Sequence, residues 1–234
     1  MQTDSILFRT CVYPLAMFMG FSILLAVGGE SIEWDHPEAA WWRQAPEMLL
    51  YPVQTLVCGW WLWHVRREIE WDWNLRACLL GVLFGAIGIG LWLVPYFAGW
   101  IPNEGGGFEP ERIFGVGSVA TYAEYAMRFA RAAVVVPLVE ELFWRGFLMR
   151  WCVNRDFPQQ VPVGTHSQLG YVVTTLAFML IHNPADYAGA FLYGSLTYLL
   201  VVKTKRLTPA FVMHAVANAI MGACAIACNM PQLW

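Results

Sequence analysis

Seven stretches of this chain are apolar and long enough to be read as bilayer crossings, and that pattern leaves few folds open. They lie at roughly 8–27, 47–64, 77–98, 118–149, 168–183, 187–202 and 207–228. Hydrocarbon offers the backbone no water, so a crossing segment must satisfy its own N–H and C=O groups. A helix does so with about 20 residues over a core about 30 Å thick. Charged residues make up only 13% of the chain and hydrophobic ones 58%. A soluble domain carries about 25% charged residues, so this chain lacks the polar surface to cover a water-soluble particle. The expected fold is all-α: a polytopic transmembrane helical bundle of about seven spans, six to eight at the limits. No internal repeat or low-complexity linker divides it, so residues 1–234 read as a single integral membrane domain. The run from Phe8 to Val27 reads as an uncleaved first helix, being long for a signal sequence. The fourth stretch is too long for a simple crossing. It is expected to tilt, to break near Pro137, or to begin as an interfacial helix carrying Arg128 and Arg131.

The loops separate by charge. Residues 28–47 hold Glu30, Glu33, Asp35, Glu38 and Glu47 against Arg43, and 99–117 hold Glu104, Glu109 and Glu111 against Arg112, beside Gly105-Gly106-Gly107. The segments 64–76, 150–155 and 203–206 are basic, with Arg66, Arg67, Arg76, Arg150, Arg155, Lys203, Lys205 and Arg206. Basic loops stay in the cytoplasm, which gives a cell-membrane protein with its N-terminus inside and its C-terminus outside. Tryptophan clusters at Trp41-Trp42, Trp60-Trp61-Trp63 and Trp71-Trp73 suit the two interfaces. The net charge of −3 offers no basic field for nucleic acid. The six cysteines lie in or beside apolar stretches without a Cys-x-x-Cys pair and read as small buried residues. Gly81 and Gly85, followed by Gly88 and Gly90, form a small-residue stripe for close helix packing.

Against this background a few polar side chains stand out. Residues 133–151, AVVVPLVEELFWRGFLMRW, hold Glu140, Glu141 and Arg145 inside an otherwise lipid-suited run. His182 closes FMLIH, and His214 and Asn218 lie in HAVAN. Ionisable groups at bilayer depth are costly and face a bundle interior or a cavity. Glu141 and Arg145 are four apart and share a helix face, as do Phe178 and His182, and His214 and Asn218. Arg145 can therefore hold Glu141, leaving Glu140 as the unmatched carboxylate, the position of a general base. At about 1.5 Å per residue, Glu140 lies about 15 Å in from Arg150 and His214 about 12 Å in from Arg206. Both depths fall near mid-membrane; His182, about 20 Å into its span, fits least well.

Glu-Glu-x-x-x-Arg, Phe-x-x-x-His and His-x-x-x-Asn, in that order on separate apolar helices within 130–225, resemble the CAAX-protease and bacteriocin-processing family. Its members are glutamate-type intramembrane proteases. The resemblance implies that Glu140 activates water with the help of His182, and that His214 and Asn218 stabilise the oxyanion. Glu141, Arg145 and Phe178 match supporting positions. It further implies a membrane-anchored peptide or protein substrate, lipidated or carrying a sorting tail, cut near its C-terminus. The compact length and acidic outer loops look like the bacterial members, some of which accompany exosortase-type sorting systems. No cofactor is expected. Two other readings of the same residues stand beside this one. A zinc-dependent membrane protease would use the two histidines and a glutamate as ligands. A transporter or scaffold would use them as a proton relay or partner site.

Overall fold

The computed structural model describes residues 6–34, 36, 38–102 and 107–233. The loop residues Asp35, Glu104, Gly105 and Gly106 lie outside them, as does the Glu30 side chain. Among the described residues every regular element is helical. Seven long helices appear: α1 (Tyr13–Ile32, lengthened by a π-helical turn over Phe8–Val12), α2 (Pro46–Val65), α3 (Leu75–Phe97), α4 (119–151), α5 (Gln168–Leu180), α6 (Tyr187–Thr204) and α7 (Thr208–Ala227). Side-chain caps fix three of the starts. Asn74 accepts from the Ala77 N–H, Ser118 from Thr121 and Ser167 from Gly170. Pro46 and Pro209 sit in first turns, where a missing N–H costs nothing.

Among the described residues four segments are long and apolar enough to cross a membrane: Phe8–Gly29, Leu75–Phe97, Pro184–Thr204 and Thr208–Ala227. The remaining three helices depart from that standard for different reasons. Gln168–Leu180 has only 13 residues. Helix α4 carries seven Arg and Glu side chains, and α2 is diluted by Glu47, Gln54 and His64. The protein is thus a helical membrane bundle.

The expected break at Pro137 does not occur. Helix α4 runs continuously and absorbs the proline by widening into a π-helical turn over Arg131–Val135, where the Val136 N–H reaches back five residues to Arg131 O. A second π-helical turn covers Leu142–Leu148, so Glu140 and Glu141 occupy a short α-helical segment between two widened ones. π-Helical insertions of this kind occur frequently at functional sites. Arg128 is buried and Arg131 half-buried, each packed against the bundle. The Arg131 Nε donates to Gln54 Oε1 at 2.7 Å, with its guanidinium 4.4 Å from the Tyr51 ring and 4.8 Å from Phe18. The Arg128 guanidinium lies over Tyr51 and Phe108. The early turns of α4 are therefore clamped by α1 and α2.

The glycine stripe joins α3 to α7, the most extensive helix pairing in the bundle. A Cβ on Gly81 would lie 2.5 Å from Pro209 O, and one on Gly85 2.5 Å from Met213 O. One on Gly88 would meet the Tyr193 ring at 2.8 Å. Only glycine lets the two backbones touch, and this contact sets His214 beside α3 and α6. Charged loops meet at one end. Arg9 pairs with Glu68, Arg206 pairs with Asp72, and Arg150 donates to Val161 O and Gln159 O. At the other end Asp186 accepts from Trp92 Nε1 and Tyr96 OH, both at 2.8 Å.

Gly85→Val forces the α3–α7 backbones apart. Overpacking costs about 1–3 kcal/mol, or about 2–4 °C of thermal midpoint per kcal/mol for a chain of this size. Gly90→Ala enters open space and does not lower the midpoint. Thermal unfolding of both variants in one detergent checks the pair.

Candidate active site

The polar groups singled out in the sequence converge where α4, α5, α6 and α7 meet, with α3 closing one side. Apolar clusters insulate them. Val135, Val139 and Leu142 on one side of α4 pack with Leu7, Cys11, Cys58, Leu62 and Phe211. Trp144 packs on the other side with Phe178, Tyr193, Met213 and Ala217. Within that shell Glu141 and Arg145 are both 0% exposed. Arg145 Nη1 lies 3.1 Å from each oxygen of the Glu141 carboxylate, and Nη2 donates to Gly194 O at 3.3 Å. The guanidinium also rests 5.3 Å from the Phe178 ring centre. On the other side of Glu141, His214 Nδ1 donates to Oε1 at 3.0 Å. One carboxylate thus ties together two turns of α4 and joins them to α7.

Glu140 is held differently. It is 8% exposed and takes its hydrogen bond from Trp144 Nε1, at a long 3.4 Å. Arg145 is committed to Glu141, so Glu140 forms no ion pair among the described residues, and Arg131 acts on it only at longer range. His182 lies just beyond the end of α5, half-buried, with Nδ1 2.7 Å from Phe178 O. A carbonyl oxygen only accepts, so Nδ1 carries the proton and the neutral ring has its lone pair on Nε2. His214 Nδ1 likewise carries a proton, because it faces the Glu141 carboxylate. Phe178 forms the wall between the rings, 4.6 Å from His182 and 6.4 Å from His214, centre to centre.

A cavity of about 60 Å³ lies among these groups, lined by Trp92, Phe178, His182, Tyr193, His214 and Asn218 together with Ile89, Ala217 and Met221. That volume admits water and falls well short of the roughly 300–1,000 Å³ of a ligand pocket. His182, His214 and Asn218 therefore share one cavity. Glu140 is not among its lining residues, although it interacts electrostatically with Tyr193, which is. Asn218 Nδ2 donates to Ala132 O at 2.7 Å, leaving one amide N–H uncommitted. No group of three His, Cys, Asp or Glu side chains among the described residues is placed to hold a metal ion.

Two residues enter that the motifs did not name. Trp144 follows Glu140 by four positions, the same spacing that links Glu141 to Arg145, and was legible on that ground. Tyr193 was not: it lies in α6 with no polar motif around it. Its hydroxyl is buried, with the Thr197 side chain beside it.

Residues 122–220 match the family model described as type II CAAX prenyl endopeptidase Rce1-like. This segment is similar to the CAAX-protease family. The match takes in all three motifs, from Glu140 to Asn218, and leaves α1, α2 and α3 outside it. No curated protein and no solved structure matches the chain. The segment that carries the three motifs is thus similar to CAAX-type membrane proteases. The α3 residues Ile89 and Trp92, which line the cavity, come from outside the CAAX-protease segment.

Arg145→Met leaves Glu141 buried beside His214 alone, and breaking a buried pair from one side costs about 3–5 kcal/mol. The expected result is a large fall in thermal midpoint and in yield. The double variant Glu141→Gln/Arg145→Met recovers part of the loss, as unfolding of the purified proteins measures.

Proposed function

We propose that the chain is a glutamate-type intramembrane endopeptidase that hydrolyses a peptide bond near the C-terminus of a membrane-associated substrate. The observation that carries this reading is the division between two adjacent buried carboxylates. Glu141 is bound by Arg145 and His214, while Glu140 has only a long contact from Trp144. A carboxylate that is buried, lightly held and next to a water-sized cavity suits a general base.

In this reading Glu140, with the Nε2 lone pair of His182, takes a proton from a water molecule in the cavity. The water oxygen attacks the scissile carbonyl carbon, and the carbonyl π electrons move onto its oxygen. In its imidazolium form His214 keeps Nδ1–H on Glu141 and offers Nε2–H to that oxyanion. Two carboxylates, Arg145 and this imidazolium then sum to zero charge. The Tyr193 hydroxyl is a second donor from the same wall. When the C–N bond breaks, Glu140 returns its proton to the leaving amine. Preorganised donors of this type are worth about 3–4 kcal/mol each in a water-poor site. None of the lining residues is a serine or cysteine, which favours direct attack by water over an acyl-enzyme.

The cavity is too small for a peptide, so the lining helices separate when substrate enters. A groove of about 560 Å³, bounded by Gly59, Trp63, Val134 and Leu138 and also lined by Arg66 and Arg67, has largely apolar walls suited to a membrane-anchored tail. The tail is lipidated or part of a sorting signal, in keeping with the prenyl endopeptidase description of the matched family. The meeting of Arg9, Arg206 and the 64–76 segment at one end supports a cytoplasmic N-terminus and an outer C-terminus in the cell membrane. Zinc hydrolysis has less support, because no three-ligand group is assembled among the described residues.

Mass spectrometry of candidate membrane-anchored peptides incubated with the reconstituted protein tests the proposal. Glu140→Gln lowers turnover by about 10²–10⁴-fold, the usual weight of a positioned base. Unchanged processing by that variant would remove Glu140 from the role of base, and no cleavage by the wild type would return the site to a carrier or scaffold role. Tyr193→Phe lowers kcat by about 10-fold or more at unchanged KM, through loss of one oxyanion donor. Activity persists in strong chelator; loss that only zinc restores would replace the glutamate mechanism.

A further inference from the structure

We propose that Asn218 is a positioning residue: its side-chain amide supplies the hydrogen bond that Pro137 withholds from the backbone of α4, and so fixes the rotation of Glu140 and Glu141 toward α7. The activity arm of this inference rests on the protease reading; the structural arm does not.

The argument begins with backbone accounting. A carbonyl in a helix takes its hydrogen bond from an N–H four residues on, or five residues on where the helix is π-helical. For Ala132 O the two candidates are Val136 and Pro137. The Val136 N–H is committed to Arg131 O. Pro137 has no N–H. Ala132 O is therefore left without a helical donor, in a segment where no bulk water can replace one. Asn218 Nδ2 fills the vacancy from α7 at 2.7 Å.

That bond has a mechanical consequence. Asn218 follows His214 by one turn of α7, and the two side chains grip α4 at separate points, Ala132 O and Glu141 Oε1. One contact alone would let α4 turn about its axis; two do not. The widened turn at Arg131–Val135 lies directly before the α-helical segment that carries Glu140 and Glu141. Any change of register there rotates both carboxylates. Pro137 and Asn218 thus form a matched pair, the first creating an orphan acceptor and the second tying it to the neighbouring helix.

The test is a double-variant cycle of wild type, Asn218→Ala, Pro137→Ala and Pro137→Ala/Asn218→Ala. Each is measured for thermal unfolding in one detergent and for kcat and KM on a cleaved peptide. With Pro137 present, Asn218→Ala lowers the midpoint by about 2–4 °C and kcat by about 10²-fold at unchanged KM, the effect of a misplaced catalytic group. In the Pro137→Ala background the backbone N–H is restored, and Asn218→Ala then has little effect on either. An equal loss of kcat in both backgrounds without a midpoint change would make Asn218 a donor to the reacting carbonyl and overturn the proposal. An equal midpoint loss in both backgrounds would overturn it as well. Pro137→Leu restores the same N–H should Pro137→Ala fold poorly. If wild type cleaves no peptide, the protease reading fails while the unfolding cycle still decides the brace.

Discussion

The bundle depends on one buried carboxylate. Glu141 sits at zero exposure between Arg145 on its own helix and His214 on α7. Arg145 in turn reaches Gly194 O in α6 and lies against Phe178 in α5. Four helices thus converge on a single ion pair in a setting where an unpaired charge is too costly to keep. The other functional features follow from that constraint. Because Arg145 serves Glu141, Glu140 forms no ion pair of its own among the described residues. Because Glu141 holds His214 through Nδ1, the remaining ring nitrogen is free for the cavity.

Two devices make this geometry attainable in a membrane. The stripe of Gly81, Gly85 and Gly88 brings α3 into backbone contact with α7 and against the Tyr193 ring, which fixes where His214 can stand. The widened turns of α4 on either side of Glu140 and Glu141 let a proline-containing helix remain continuous while changing its angular progression. A regular α-helix over the same residues would point the carboxylates elsewhere.

Much of this was legible in the sequence, because membrane burial makes polar residues conspicuous. The seven apolar stretches coincide within a few residues with α1 to α7, and the i,i+4 spacing of Glu141 and Arg145 predicts the pair that forms. The glycine spacing likewise named a close packing surface. What stayed hidden was tertiary. Nothing local in α6 marks Tyr193, whose importance comes only from the cavity it lines. Pro137 suggested a break because its missing N–H was visible, while the compensating donor, Asn218, lies 81 positions later on another helix. Arg128 and Arg131 suggested an interface because Tyr51 and Gln54, which receive them, could not be placed beside them from spacing alone.

The central claim is that two neighbouring carboxylates of like type have opposite duties, one structural and one chemical. The most direct measurement compares thermal unfolding of Glu140→Gln and Glu141→Gln proteins in the same detergent. Both substitutions keep the shape and remove the charge. The account predicts a midpoint near wild type for Glu140→Gln, whose carboxylate is held only by a long contact from Trp144. It predicts a clear fall for Glu141→Gln, which strands Arg145 and weakens the bond to His214. A fall for Glu140→Gln with no change for Glu141→Gln would contradict it.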